Sequence, residues 1–187
     1  MSDTRYMIEQ SLRSLVLEKP YNKITVSDIC ERAYLSRKSL YAYFENKESI
    51  LASIIYKDVI EPLQTINDLF TVEQAYEMNP MIYEKMYEQI FQDSDFYIAL
   101  VRPMKGSDDT FIKILTRAIY DLDIQLLSRL GFTGGSRKAD YVAYFFASSQ
   151  AMLVQKWISD GLPYTPQQLS DLYRELTGDF WLSTFKS

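Results

Sequence analysis

Residues 24–48 read ITVSDICERAYLSRKSLYAYFENKE, and this stretch decides how the start of the chain folds. Thr25, with Asp28 three residues later, has the spacing of a capping box, which predicts the start of a short helix. The pattern then breaks, and Ser36 is a good N-cap for a following helix over residues 37–44. Both helices have an apolar inner face, formed by Val26, Ile29, Cys30, Ala33, Leu40 and Phe44.

A longer amphipathic helix is predicted before this stretch, over residues 3–18. Its apolar stripe consists of Ile8, Leu12, Leu15 and Val16. Three helices at the start of the chain, with a very short connection between the second and third, are the outline of a helix-turn-helix unit. In such a unit the second helix of the pair enters the major groove of DNA.

The outward positions of the predicted third helix carry Arg37, Lys38 and Tyr41. Arginine can bond guanine bidentately, and lysine or tyrosine can contact phosphate or a thymine methyl group. Ser39 is short enough to let the DNA backbone come close, and Lys47 begins the next helix, where it could hold one phosphate. The alternative is the solvated face of a small helical bundle. The short turn, the basic face and the exposed aromatic residue together favour DNA binding.

Charge is divided unevenly along the chain. Residues 1–57 carry a balance of +2 and residues 58–187 a balance of −7, within a net charge of −5. Between Arg32 and Lys47 there are four basic residues and one acid. A protein binds nucleic acid through a local basic surface and not through its overall charge. The negative net charge of the whole chain therefore does not exclude DNA binding by its first part.

The remaining sequence also has helical periodicity, so the predicted fold class is all-α. A three-helix DNA-binding domain over residues 1–57, with its motif at about 24–43, precedes a helical-bundle regulatory and dimerisation domain over residues 58–187. Pro62 is expected to kink or interrupt the fourth helix, which starts near residue 46. Further helices are predicted over residues 80–91, 95–102, 108–130 and 137–160, and from Thr165-Pro166 onward.

Composition argues against an enzyme. The chain has no histidine, a single cysteine and six glycines that form no nucleotide-binding motif. Catalytic units that need histidine, His-containing metal sites and multi-Cys metal sites are therefore excluded, and no cofactor is expected. Glu84 and Glu88 share a helix face, but helical metal bundles usually add histidine, so a solvated surface explains them better.

Nothing at the start of the sequence resembles an export signal, and the longest mostly apolar stretch, residues 141–154, is short for a membrane span. With one cysteine, the expected location is the cytoplasm, associated with the nucleoid and not with a membrane.

The motif I-T-V-x-D-I, then A-x-L-S-R, then L-Y-x-Y-F-x-x-K-E resembles the DNA-binding signature of TetR/AcrR-type transcriptional regulators. The resemblance implies a homodimer on a palindromic operator, most often a repressor released by a small ligand. An alternative is a co-activator or interaction scaffold of the same fold without ligand-controlled repression. By position, the resemblance implies backbone contacts from Thr25, Tyr43 and Lys47, major-groove contacts from Arg37, Lys38, Ser39 and Tyr41, and a structural role for Phe44.

Segments of the second part resemble a subgroup of this family with short C-terminal domains. They are Phe96-Tyr97, residues 157–161 and Thr165-Pro166. The subgroup includes a co-activator of dihydroxyacetone kinase genes.

The second part also predicts a dimer interface. Ala143, Ala147 and Ala151 form a stripe of small residues, while larger apolar residues occupy another face of the same helix, so that helix must be buried on two sides. The predicted interface comprises Ala143, Ala147, Ala151, Leu172, Leu176 and Phe180. The alternative is an internal helix in a monomer.

Abundant aromatic residues and methionines suggest a pocket for an apolar or aromatic effector. Its candidate lining is Met86, Phe91, Phe111, Tyr144 and Phe145, although each could equally fill the core. The effector would tilt the helix after Lys47 and change the separation of the two recognition helices, with Pro62 as a candidate bend.

Overall fold

The computed structural model describes residues 2–69, 79–129 and 137–177, and within these ranges every regular element is helical. The predicted all-α class is confirmed. The α-helices are α1 Ser2–Glu18, α2 Val26–Arg32, α3 Arg37–Tyr41, α4 Lys47–Ile55, α5 Glu61–Leu69, α6 Asn79–Gln92, α7 Ser94–Val101, α8 Thr110–Arg129, α9 Arg137–Ser159 and α10 Pro166–Thr177. The described ranges also include 3₁₀ turns at Tyr21–Lys23 and Arg102–Met104, and a π-helical segment at Tyr56–Ile60.

The first three helices form the unit that the sequence predicts. The capping box at the start of α2 is present: the Thr25 hydroxyl accepts from the Asp28 amide, and the Asp28 carboxylate accepts from the Thr25 amide at 2.7 Å. Ser36 caps α3 by accepting from the Ser39 amide at 3.0 Å. α3 is shorter than predicted because it ends at Tyr41, but the turn that follows still buries Phe44.

The disturbance predicted at Pro62 lies in the turn before it. α4 passes without a break into the π-helical segment Tyr56–Ile60, and α5 then begins at Glu61. Proline lacks an amide hydrogen and its ring clashes with the carbonyl four residues earlier, here that of Asp58. A widened turn at this place relieves that clash. The predicted boundary between residues 57 and 58 falls inside this helical run.

The remaining helices surround an aromatic centre. α8 and α9 pack along each other, and α6 packs against α10. Tyr83 on α6 meets Tyr173 on α10 edge to face at 5.1 Å, and Tyr87 meets Trp157 at 5.8 Å. α10 also starts with a capping box, in which Thr165 and Gln168 exchange hydrogen bonds.

A continuous apolar core runs from Ile8 on α1 to Tyr173 on α10, so the two parts of the chain are packed together. In the described ranges, no helix has the length and apolarity needed to cross a membrane.

Candidate nucleic-acid interface

The predicted recognition helix is α3, and one fully buried residue anchors it. Leu40 has no exposed surface, whereas Arg37 and Lys38 are exposed and Tyr41 is 54% exposed. Ser39 lies at the edge of this face, half-buried, with its hydroxyl 2.9 Å from that of Ser36. The structure therefore brings four of the predicted groove residues together on one short helix.

Arg37 is oriented by the neighbouring helix. Its guanidinium donates to the Ser27 hydroxyl on the first turn of α2. A guanidinium has five N–H donors, so this bond leaves most of them for another acceptor. Neither Arg37 nor Lys38 forms an ion pair with any described residue, and the same holds for Lys23, which precedes α2. Lys23 was not predicted to belong to this basic surface, although its proximity to the Thr25 cap could have indicated it.

The start of α2 is stabilised by charge as well as by its cap. Lys19 at the end of α1 lies 2.9 Å from the Asp28 carboxylate. That lysine, together with the Thr25 bonds, lowers the pKa of Asp28 to about 2. The Thr25 hydroxyl donates to the same carboxylate at 2.9 Å, so its first role in this structure is to cap α2. Its predicted phosphate contact stays a prediction.

The Lys47 side chain turns inward and bonds to the backbone of the chain itself. Its ammonium donates to the carbonyls of Tyr21 and Ile24, both at 2.9 Å, and lies 4.0 Å from the centre of the Tyr21 ring. Burial lowers the pKa of Lys47. Two carbonyls and a ring attract the charge inward in this structure and fix the loop before α2. The predicted phosphate contact of Lys47 stays a prediction.

The other aromatic residues of the motif divide between surface and core. Tyr43 is half-buried and packs against the core, and Phe44 is buried, as the family resemblance implies.

Arg32 donates twice to Glu18, at 2.8 and 2.7 Å, and so ties α2 to α1. This structural role for Arg32 was not predicted, and it removes one cation from the free positive charge of the face.

A second group of polar residues joins the helix-turn-helix unit to the following helices. Arg13 on α1 donates to Asp58 and to Asp93, and it lies 4.6 Å from the centre of the Phe96 ring. The Tyr97 hydroxyl donates to Asp58 at 3.3 Å. A polar cleft of about 610 Å³ opens beside this group. No sequence pattern pointed to it, because its members are far apart along the chain.

The predicted dimer residues fall on two different faces. Ala143, Ala147 and Ala151 are buried within the single chain, so their assignment to a dimer interface is wrong. Ala143 packs in a cluster with Leu127 of α8, where small residues let the two helices approach. Leu172 is partly buried against the core, Leu176 is 70% exposed, and Phe180 lies outside the described residues.

The exposed face of α9 is the one that carries large side chains. Tyr141, Phe145 and Met152 are each more than half exposed. Phe145 and Met152 line an apolar groove of about 770 Å³ between α9 and α10, together with Tyr173 and Leu176. The face of α9 that stays exposed in the single chain is therefore the one with the large side chains, and not the predicted alanine stripe.

Within the described residues, the five predicted pocket residues lie at several separate places, and the predicted effector pocket stays a prediction. Met86 and Phe111 are buried in the core, whereas Phe91 stacks on Trp157 with ring centres 6.3 Å apart. Tyr144 lines a groove of about 710 Å³ between α8 and α9, and Phe145 lines the other groove. Helical spacing alone could not distinguish these locations.

Two family models match the chain. The model for bacterial regulatory proteins of the tetR family matches residues 11–54, and the model for a transcriptional regulator C-terminal region matches residues 79–179. The second match alone covers more than half of the chain. The chain therefore belongs to the TetR family of transcriptional regulators, which confirms the resemblance and the expectation that it is not an enzyme.

Two curated relatives share parts of the sequence. The dhaKLM operon transcriptional activator DhaS of Lactococcus lactis is 28% identical over 91 residues, covering 45% of this chain and 49% of that protein. The uncharacterised regulator YxbF of Bacillus subtilis is 22% identical over 181 residues, covering 94% and 46%. The chain thus spans about half the length of the curated relatives it matches.

Solved structures with the same fold cover nearly the whole chain. The dihydroxyacetone kinase operon activator DhaS matches with a TM-score of 0.59 and 18% identity, covering 100% of this chain and 98% of that one. A TetR-family regulator from Syntrophomonas wolfei matches with 0.69 and 16%, covering 97% and 96%. The fatty acid degradation regulator FadR from Bacillus halodurans matches with 0.62 and 18%, covering 93% and 94%. At these identities the likeness shows the fold alone.

Proposed function

We propose that the chain is a homodimeric regulator that binds a two-fold symmetric operator through α3 and represses transcription until a small effector releases it. The observation that carries DNA binding is the outward placement of Arg37, Lys38 and Tyr41 on a helix anchored by Leu40. The N-terminal residues of a recognition helix are the ones that reach base edges, and the two cations lie at that end.

The roles of these side chains follow from their chemistry. Arg37 keeps its fork-shaped donors available for guanine O6 and N7 while Ser27 orients it. Lys38 and Lys23 are suited to phosphates, which would fix the register of α3 in the groove. Tyr41 can pack its ring on a thymine methyl group. Phosphate contacts of this kind would make binding salt-dependent.

A second copy of the chain is the occupant proposed for the exposed face of α9 and α10. One helix-turn-helix unit reads only one half-site, so a symmetric operator requires two copies about a two-fold axis. Tyr141, Phe145, Met152 and Leu176 form an apolar surface of the kind that a monomer rarely leaves open. The family membership supports this arrangement.

The effector is proposed to act through the contact between α1 and the helices around Asp58. A ligand shifts an equilibrium only by binding one arrangement better than the other. Arg13 joins the helix-turn-helix unit to both the π-helical segment and the α6–α7 junction, so a change at either place would alter the position of α3. An apolar or aromatic effector could enter the α8–α9 groove, which Tyr120 and Tyr144 line.

Activation in place of repression is the second candidate function. It is favoured by the relative DhaS, which is named as an activator of an operon. A run-off transcription assay on a promoter that contains the selected DNA site distinguishes the two. Loss of transcript on adding protein supports repression, and gain of transcript supports activation.

The decisive experiment for DNA binding starts with selection of duplexes from a random pool by the wild-type protein. Fluorescence anisotropy then compares the selected duplex with a scrambled one at several salt concentrations. Replacing Arg37 and Lys38 by alanine should weaken binding to the selected duplex at least about tenfold, which is ~1.4 kcal/mol, because a bidentate base contact is worth about that or more.

The matched control is the adjacent pair Arg137 and Lys138, which is also exposed but lies at the start of α9. Replacing both by alanine removes the same formal charge and should leave DNA affinity within about twofold of wild type. Equal losses for the two double variants would mean that bulk charge, and not α3, governs binding. Failure of the wild type to enrich any sequence would contradict sequence-specific binding.

A further inference from the structure

Tyr34 occupies a backbone position that normally favours glycine. Its φ is +53°, in the left-handed region, at the turn between α2 and α3. Two hydrogen bonds close this turn: the Tyr34 amide donates to the Glu31 carbonyl at 3.2 Å, and the Leu35 amide donates to the Cys30 carbonyl at 2.9 Å. This pattern is a Schellman motif, in which the residue at Tyr34 must adopt the left-handed conformation.

The same chain uses glycine at the equivalent position of another helix. At the end of α9 the Gly161 amide donates to the Ile158 carbonyl at 3.0 Å, and the Leu162 amide donates to the Trp157 carbonyl at 2.9 Å. Gly161 has a φ of +86°. The two turns therefore have the same hydrogen bonds, but the first residue after the helix is glycine at the end of α9 and tyrosine beside α3. Leu162, which follows Gly161, also has a positive φ, of +59°, but its side chain packs against the core.

Packing of the Tyr34 side chain does not offset the unfavourable free energy of its left-handed backbone. Its relative exposure is 93%, the highest among the large apolar side chains of the described residues. It forms no hydrogen bond or ring contact with any residue described, and the neighbouring Leu35 supplies the apolar contact of the turn. A side chain that is almost fully exposed, on a backbone conformation that disfavours folding, points to a role outside the protein.

We propose that Tyr34 contacts the phosphate backbone of the bound DNA, its phenolic O–H donating to a phosphate oxygen. Tyr34 precedes the Ser36 cap by two residues and Arg37 by three, so it flanks the end of α3 that reaches base edges. A side chain beside that end meets the sugar-phosphate backbone at the edge of the groove, where tyrosine is a common donor. This inference rests on the proposed DNA-binding function.

The test uses the full chain, the selected duplex and the scrambled duplex. Tyr34→Gly should raise the thermal midpoint by about 2–4 °C, since glycine adopts the left-handed conformation freely. The same variant should weaken binding at least about fivefold on both duplexes, because a phosphate contact carries no sequence information. Tyr34→Phe keeps the ring and the strain, so it should leave the midpoint unchanged and still weaken binding to both duplexes.

Tyr164, half-exposed in the connection between α9 and α10, is the matched control. Tyr164→Ala should leave DNA affinity unchanged. Wild-type affinity for Tyr34→Gly, while the wild type itself selects a site, would overturn the Tyr34 assignment alone. A loss confined to the selected duplex would overturn the phosphate contact, and a lower midpoint for Tyr34→Gly would show that the ring serves folding. Absence of any selected site would instead refute the proposed function.

Discussion

Arg13 and Asp58 form an ion pair across the boundary between α1 and the π-helical segment, 45 residues apart in sequence. Both side chains are largely removed from water, with 17% and 28% of their surfaces exposed. Burial raises the pKa of Asp58 even though Arg13 opposes the shift. The pair is therefore held in a place where neither charge is well solvated alone.

Replacing Arg13 by methionine should lower the free energy of unfolding by about 1–3 kcal/mol, because it leaves Asp58 partly buried without its cation. Urea denaturation measures the change. The double variant with Asp58→Asn should lose less than the sum of the two single variants, as expected for a coupled pair. Additive losses would mean that the two groups do not interact energetically.

Lys47→Met should destabilise the helix-turn-helix unit, because it removes two hydrogen bonds to carbonyls and the contact with the Tyr21 ring. Thermal unfolding should show a lower midpoint. The salt dependence of DNA binding should keep its slope, since an inward ammonium neutralises no phosphate. A slope smaller by about 0.9 would instead indicate one lost phosphate contact and support the original family-based role.

Asp123 on α8 is buried, and its Oδ2 has no hydrogen-bond partner among the described residues. Burial raises its pKa to about 8. The folded state therefore keeps a proton that the unfolded state loses above about pH 4, so this group lowers stability as the pH rises from 4 to 8. The slope from this group alone approaches about 1.4 kcal/mol per pH unit.

Asp123→Asn has no titrating group at this position, so its stability should depend less steeply on pH over that range. The measurement is urea unfolding of wild type and variant at several pH values between 5 and 8. Parallel curves for the two proteins would mean that Asp123 ionises normally in the folded chain.

Phe145→Asp should convert the proposed dimer into a monomer, because it places a charge in the middle of the apolar face of α9 and α10. Light scattering after size-exclusion chromatography gives the molecular mass directly. Tyr56→Asp, a half-exposed aromatic residue on the π-helical segment, is the control and should leave the mass unchanged. A monomeric wild type would contradict the dimer itself.

The sequence predicts the local structure of the first 48 residues well, because short-range signals determine it. The capping box at Thr25, the Ser36 cap and the inward Leu40 depend on neighbours three or four residues away. These features placed α3 and its exposed residues correctly. The left-handed backbone of Tyr34 was not predictable, because a tyrosine in the sequence does not indicate that conformation.

Contacts between distant residues were not predictable in the same way. The inward turn of Lys47 depends on carbonyls more than 20 residues earlier, and the Arg13 group joins three separate elements. For α9, periodicity identified two apolar faces but not which one meets the protein, since both satisfy the same spacing. The alanine face fits α8 closely, and that fit is a property of two helices together.

α3, the proposed recognition helix, has only five residues. A helix this short cannot form by itself in water, because nucleating one turn costs more than a few hydrogen bonds return. α3 is therefore ordered only while the Ser36 cap and the buried Leu40 are in place. The surface proposed to read DNA therefore melts together with the core beneath it, so a disturbance that loosens α1 or α4 should abolish DNA binding without touching any group that would face the groove.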